Sequence, residues 1–146
     1  MQVHEILLVE DNPADALLVR EALGRIGIQD QLAHPGDGES AAAFLRERLR
    51  ESSVPDLIIL DLNLPRKDGA TLLAGLKSDP ELRHFPVVVF SSSQSDFDIS
   101  RSYQLGANCY VTKPVDLQRF IGALRDITGF WSACASLTPQ KRGTIE

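Results

Sequence analysis

The sequence predicts an α/β fold, a doubly wound parallel sheet with helices on both faces. Two observations carry that expectation. Short apolar runs alternate with longer amphipathic stretches five times over, which is the pattern of βαβ units joined by right-handed crossovers. The central run, Leu57-Ile58-Ile59-Leu60, is apolar throughout, as a strand covered on both faces must be.

Each element has a local reason. Ile6-Leu7-Leu8-Val9 is the first strand and ends in Glu10-Asp11-Asn12-Pro13. Leu18, Ala22 and Ile26 recur at i, i+4 and i+8 and make the next stretch a helix, closed by Gly27. Ile28 to His34 is a weaker, more polar strand, which places it near an edge. Helix returns over residues 38–50, with Ala41, Leu45 and Leu49 on one face. Arg46, Glu47, Arg48, Arg50 and Glu51 alternate in sign on the other, as a solvated face does. Asp56 to Asp61 is the third strand, Leu62 to Pro65 a loop, and Lys67-Asp68-Gly69 a turn. The helix that follows runs to Ser78, where Asp79-Pro80 breaks it. Pro86 to Phe90 is the fourth strand and ends in Ser91-Ser92-Ser93. Ser95-x-x-Asp98 matches a capping box and opens a helix ending at Gly106. Cys109 to Thr112 is the fifth strand, and Lys113-Pro114 leads to Asp116, the N-cap of the last helix.

Composition bounds the function classes. The 146 residues, 43% hydrophobic and 24% charged, suffice for one core and not two. A net charge of −5 argues against non-specific binding to nucleic acid or an anionic membrane. No apolar run approaches the ~20 residues that span a bilayer, and Met1-Gln2-Val3-His4-Glu5 lacks a basic leader pattern. Cys109 and Cys134 have no metal-ligand spacing. A reduced, cytoplasmic setting is the expectation.

In an open parallel sheet the site lies beyond the carboxyl ends of the strands. Polar residues gather there: Glu10-Asp11 after the first strand, Asp61 after the third, Ser91 after the fourth and Lys113 after the fifth. Crowded carboxylates repel one another and need a cation to stay ionised. Hard oxygen ligands with room for water suit Mg²⁺, and the lack of Cys or His at this rim argues against zinc. Such an ion can neutralise an incoming phosphoryl group while a carboxylate attacks it, with the lysine and hydroxyl holding phosphoryl oxygens.

With Glu10-Asp11, Asp61-Leu62-Asn63-Leu64-Pro65, Asp68-Gly69, Ser91 and Lys113-Pro114 in place, residues 4–129 resemble the receiver domains of two-component response regulators. The resemblance implies a flavodoxin-like (βα)5 fold with a five-stranded sheet of order 2-1-3-4-5. It implies a receiver over residues 1–130, a C-terminal extension over 131–146, and no output domain. It implies that Asp61 is the phosphoacceptor for a histidine kinase. Mg²⁺ would be bound by Asp11, Asp61 and the Asn63 carbonyl, with Glu10 acting through water. Ser91 and Lys113 would hold phosphoryl oxygens, Ser91 and Tyr110 would form the conformational switch, and the Lys113–Pro114 bond would be cis. Glu10-Asp11-Asn12-Pro13-Ala14-Asp15, Lys77 to Arg83, the triple serine and Phe130-Trp131 further resemble the small single-domain regulators that partner bacterial phytochromes. A bacteriophytochrome kinase is therefore the expected partner; a phosphorelay intermediate or a chemotaxis-type regulator fed by another kinase is the alternative. Ala14, Leu17 and Pro13 offer an apolar patch where that kinase would dock.

Two other function classes are weighed against this one. A phosphatase with an aspartate nucleophile needs an acid–base carboxylate two residues downstream, where Asn63 cannot protonate a leaving group. An inert interaction domain has no use for the crowded charges. Finally, Leu117, Phe120, Leu124, Ile127 and Trp131 form a continuous apolar seam, and Phe130 and Trp131 lie where the scaffold should have ended. The early members of the seam pack on the sheet, and a homodimer through Phe130 and Trp131 is the expectation, with folding back onto the same domain the alternative.

Overall fold

A computed structural model of the chain describes residues 3, 5–28, 32–33, 38–64 and 68–133. Its elements, in chain order, are β1 (Ile6–Val9), α1 (Pro13–Arg25), β2 (Leu32–Ala33), α2 (Gly38–Arg50), β3 (Leu57–Leu60), α3 (Gly69–Ser78), β4 (Val87–Ser91), α4 (Asp96–Gln104), β5 (Cys109–Thr112) and α5 (Leu117–Ala133). The strands pair in parallel in the order β2-β1-β3-β4-β5. β2 contributes two residues; the rest of the expected strand over 28–34 falls mostly outside the described residues.

Alternation along each strand divides the core in two. Ile6, Leu8, Leu57, Ile59, Val88 and Phe90 face α1 and α5, while Leu7, Val9, Ile58, Leu60, Val87 and Val89 face α2 and α3. Every residue of β1, β3 and β4 is buried, which is why these strands read as unbroken apolar runs. β5 is half-buried along its length, as an outer strand is.

Helix starts and ends follow their capping chemistry. Asn12 Oδ1 accepts from the Ala14 and Asp15 amides with Pro13 as the first helical residue of α1. α1 buries Val19, Ala22 and Leu23, whereas Leu18 and Ile26 of the expected stripe are only half-buried. With apolar residues at 16–19, 22, 23 and 26, more than one stripe fits the 3.6-residue period, and packing against α5 and the sheet selects the Val19 side. At α4, Ser95 Oγ accepts from the Asp98 amide, but the Asp98 carboxylate takes the Ser93 hydroxyl at 2.6 Å instead of closing the capping box.

Two glycines are dictated by contact. A Cβ on Gly69 would stand 2.5 Å from the Asp61 carbonyl oxygen and the Leu62 Cα, so only glycine lets α3 begin against that backbone. Gly106, at φ +108°, would also meet Lys77 Cγ at 2.8 Å. Lys77 is placed there because its ammonium donates to the Arg83 and Phe85 carbonyls and to Asn108 Oδ1, pinning α3 to the starts of β4 and β5.

Three expectations change. α5 does not stop near residue 130 but continues to Ala133, so Trp131 is buried in the core on the α1–α5 side of its own sheet. The Val3 amide donates to Ser132 Oγ at 2.8 Å and fastens that end. Phe120, Leu124 and Ile127 are core, as the early part of the seam was expected to be, and of the two aromatics only Phe130 is exposed. The Lys113–Pro114 peptide is trans, the ordinary preference of an X–Pro bond by roughly 0.5–1 kcal/mol. Cys134 and the rest of the extension lie outside the described residues.

Because Trp131 completes its own domain's core, Trp131→Ala is expected to lower unfolding free energy by about 3 kcal/mol. Urea denaturation at two protein concentrations checks this: the loss should be the same at both. A loss that depends on concentration would return Trp131 to an interface.

Candidate functional site

Strand register builds the site. Val9 pairs with Leu60, so Glu10 and Asp61 leave the sheet side by side, and the Asp61 amide donates to the Val9 carbonyl at 3.0 Å. Ser91 pairs with Thr112, and the Lys113 amide donates to the Ser91 carbonyl at 2.7 Å. Glu10, Asp61, Ser91 and Lys113 thus share one rim, on the carboxyl side of the point between β1 and β3 where strand order reverses.

The Lys113 ammonium is the centre of the charge arrangement. It donates to Glu10 Oε1 at 2.6 Å, to Asp15 Oδ2 at 2.7 Å and to Asp61 Oδ2 at 3.4 Å. Glu10 is 1% exposed and Asp61 6%. Asp61 Oδ1 accepts from the Asn63 amide and Glu10 Oε2 from the Asn12 amide. Burial first, then the neighbouring Asp61 carboxyl, push Glu10 up to about 7, while Lys113 pulls the other way. Burial works against the Lys113 charge, yet its bonds to Asp15 and Glu10 and the field of Asp61 outweigh it and hold the ammonium above its usual range. The lysine therefore stays charged.

The carboxylates that converge are Glu10, Asp15 and Asp61, and the cation among them is an ammonium; Asp11 is exposed at the rim, as is Asn63. Among the described residues no three acidic, His or Cys side chains form a ready metal cage. The donor set nevertheless fits a hard divalent ion. Glu10 and Asp61 lie close enough to share a hydrogen bond and repel when both are ionised, and Mg²⁺ needs only one or two carboxylates beside water and phosphate oxygens.

Ser91 is fully buried, and its Oγ accepts from the Ser93 amide at 3.3 Å. Tyr110 is half-buried, and its hydroxyl donates to the Ser93 carbonyl at 2.8 Å, so both expected switch residues hold the same loop. Asp15 and Gly69 are the site residues that sequence reasoning passed over. An acid in the first turn of a helix opening beside Glu10-Asp11 was a usable signal for Asp15. Gly69 stood in the quoted motif, but the backbone it must clear is visible only in three dimensions.

Residues 6–125 match the response regulator receiver domain model. The chain belongs to the response regulator receiver family. Response regulator Rcp1 of Synechocystis sp. is 42% identical to this receiver over 134 residues, covering 90% of this chain and 91% of Rcp1. The phosphorylated cyanobacterial phytochrome response regulator RcpA matches with a TM-score of 0.84 at 44% identity, covering 94% of this chain and 99% of that one. The Mn²⁺-bound form of Rcp1 matches with a TM-score of 0.81 at 42% identity, covering 92% and 99%. Phosphorylation on an aspartate by a kinase is the function of this family, and its domains bind a divalent metal. Among the described residues no helix of this receiver is long and apolar enough to cross a membrane.

The raised Glu10 value carries a sign. The folded state holds the Glu10 proton up to about pH 7 and the unfolded chain releases it near 4.5, so ionisation of this group costs stability as pH rises through that window. Glu10→Gln is therefore expected to stabilise the metal-free receiver at pH 8, by about 2–3 kcal/mol, and to change little at pH 5. Chemical denaturation in EDTA at both pH values checks it.

Proposed function

We propose that this receiver is a cytoplasmic phosphoacceptor that takes its phosphoryl group on Asp61 from a histidine kinase of the bacteriophytochrome type. The observation that carries the reading is the meeting of Glu10, Asp61 and Lys113 from three strand ends on one buried rim. An Asp61 carboxylate oxygen attacks the phosphorus of a phosphohistidine. The new O–P bond forms as the P–N bond breaks, and the imidazole leaves. Asp11, Asp61 and the Asn63 carbonyl, with Glu10 through water, would hold a Mg²⁺ ion, which would supply the charge neutralisation that lets one anion approach another. Lys113 and Ser91 bind phosphoryl oxygens, and drawing Ser91 Oγ from the Ser93 amide transmits the event to the loop that Tyr110 also holds.

The phytochrome assignment is supported by relatives such as RcpA, a cyanobacterial phytochrome response regulator. On the kinase-facing side, Leu17 is 62% exposed on α1 beside the mouth of the site, where an apolar docking residue is useful and a core residue would not be. The receiver's other partner is a second copy of itself, met through Phe130, which is 51% exposed.

Acetyl phosphate with Mg²⁺ is expected to add one phosphoryl group, detected by intact mass. Asp61→Asn and EDTA should each abolish the addition. Labelling that persists in the asparagine variant would overturn the assignment.

A further inference from the structure

Asp15 has no part in the phosphoacceptor chemistry, yet it makes one of the two shortest contacts to the site lysine. Lys113 Nζ lies 2.7 Å from Asp15 and 2.6 Å from Glu10, but 3.4 Å from Asp61. The ammonium is therefore drawn toward the α1 side of the site. The Asp15 backbone stays with α1 if the lysine moves, because its amide is fixed to the Asn12 cap at 3.2 Å in the first turn.

An ammonium has three hydrogens, and all three are engaged by carboxylates here. A phosphoryl group on Asp61 adds strong acceptors and negative charge; the long 3.4 Å contact to Asp61 passes to a phosphoryl oxygen, and drawing the ammonium toward it lengthens one of the two short contacts. Burial decides which. The Glu10 side chain is 1% exposed and would be left without water or partner, whereas the Asp15 side chain is 30% exposed and can be hydrated at once. Losing the Asp15 contact is the cheaper change.

We propose that Asp15 is a positioning residue that holds Lys113 away from Asp61 in the unphosphorylated receiver and releases it when the phosphoryl group arrives. Asp15 thereby favours the unphosphorylated state and sets how strongly the site takes a phosphoryl group, because a contact present in only one state shifts the balance between states. This rests on the reading of Asp61 as phosphoacceptor.

The test uses fluoroberyllate, a phosphoryl mimic, titrated calorimetrically with Mg²⁺ into wild type, Asp15→Asn and Asp15→Glu, each first shown to melt cooperatively. Asp15→Asn is expected to bind about 3-fold more tightly or better. Asp15→Glu, which restores the charge, should return to within about twofold of wild type. The gain should survive about 0.5 M KCl, where the screening length is roughly 4 Å. No gain in Asp15→Asn would overturn the proposal. So would a gain that vanishes in salt, since that marks diffuse repulsion of the anion and not competition for Lys113. A wild type that takes no fluoroberyllate fails the phosphoacceptor reading itself. A wild type that binds it while Asp15→Asn binds no better fails this inference alone.

Discussion

One ammonium holds the site together. Lys113 reaches across from the end of β5 and supplies positive charge to carboxylates from the end of β1, the end of β3 and the first turn of α1. Without it, two of those carboxylates would be buried side by side with nothing to offset their repulsion. The price is a Glu10 that resists ionisation, which keeps the site ready to gain from a second cation.

The scaffold serves this geometry by fixing backbone more than by filling space. β1–β3 register sets Glu10 level with Asp61, and β4–β5 register sets Ser91 level with Thr112, just ahead of Lys113. Behind the site, Gly69 lets α3 start against the Asp61 and Leu62 backbone, and its amide donates to the Leu62 carbonyl at 2.9 Å. Lys77 then ties the far end of α3 to the entries of β4 and β5. On the output side, Ser93 is the common partner of Ser91, Tyr110, Ser95 and Asp98. One short loop thus links Ser91 to the start of α4.

Much of this was legible in the residues. Central strands with no polar residue between their ends, punctuated by Pro13, Gly27, Asp79-Pro80 and Gly106, mark the β–α alternation directly, and strand-end polar residues mark the rim. The α1 stripe was not legible, because that helix is apolar on too many sides for periodicity to choose one. At Trp131 the sequence leaves two readings, for a different reason. An apolar seam looks the same whether it meets another chain or its own sheet, and only the length of α5 brings Trp131 into its own core. Asp15 is legible as an acid in the first turn of α1, but the lysine it meets lies 98 residues away and local patterning carries no trace of that pairing. Lys77 is similar: it sat inside the stretch that carried the narrower resemblance, but its role depends on Asn108 across the fold.

The most direct measurement is the stability of Lys113→Met against pH in EDTA, with and without added Mg²⁺. If the ammonium holds the carboxylates together, the variant should lose at least about 2 kcal/mol at pH 8. It should recover most of that loss at pH 5, where Glu10 carries its proton, or when Mg²⁺ replaces the missing charge. A variant as stable as wild type at pH 8, or one that loses the same amount at pH 5 and pH 8 regardless of Mg²⁺, would contradict the account.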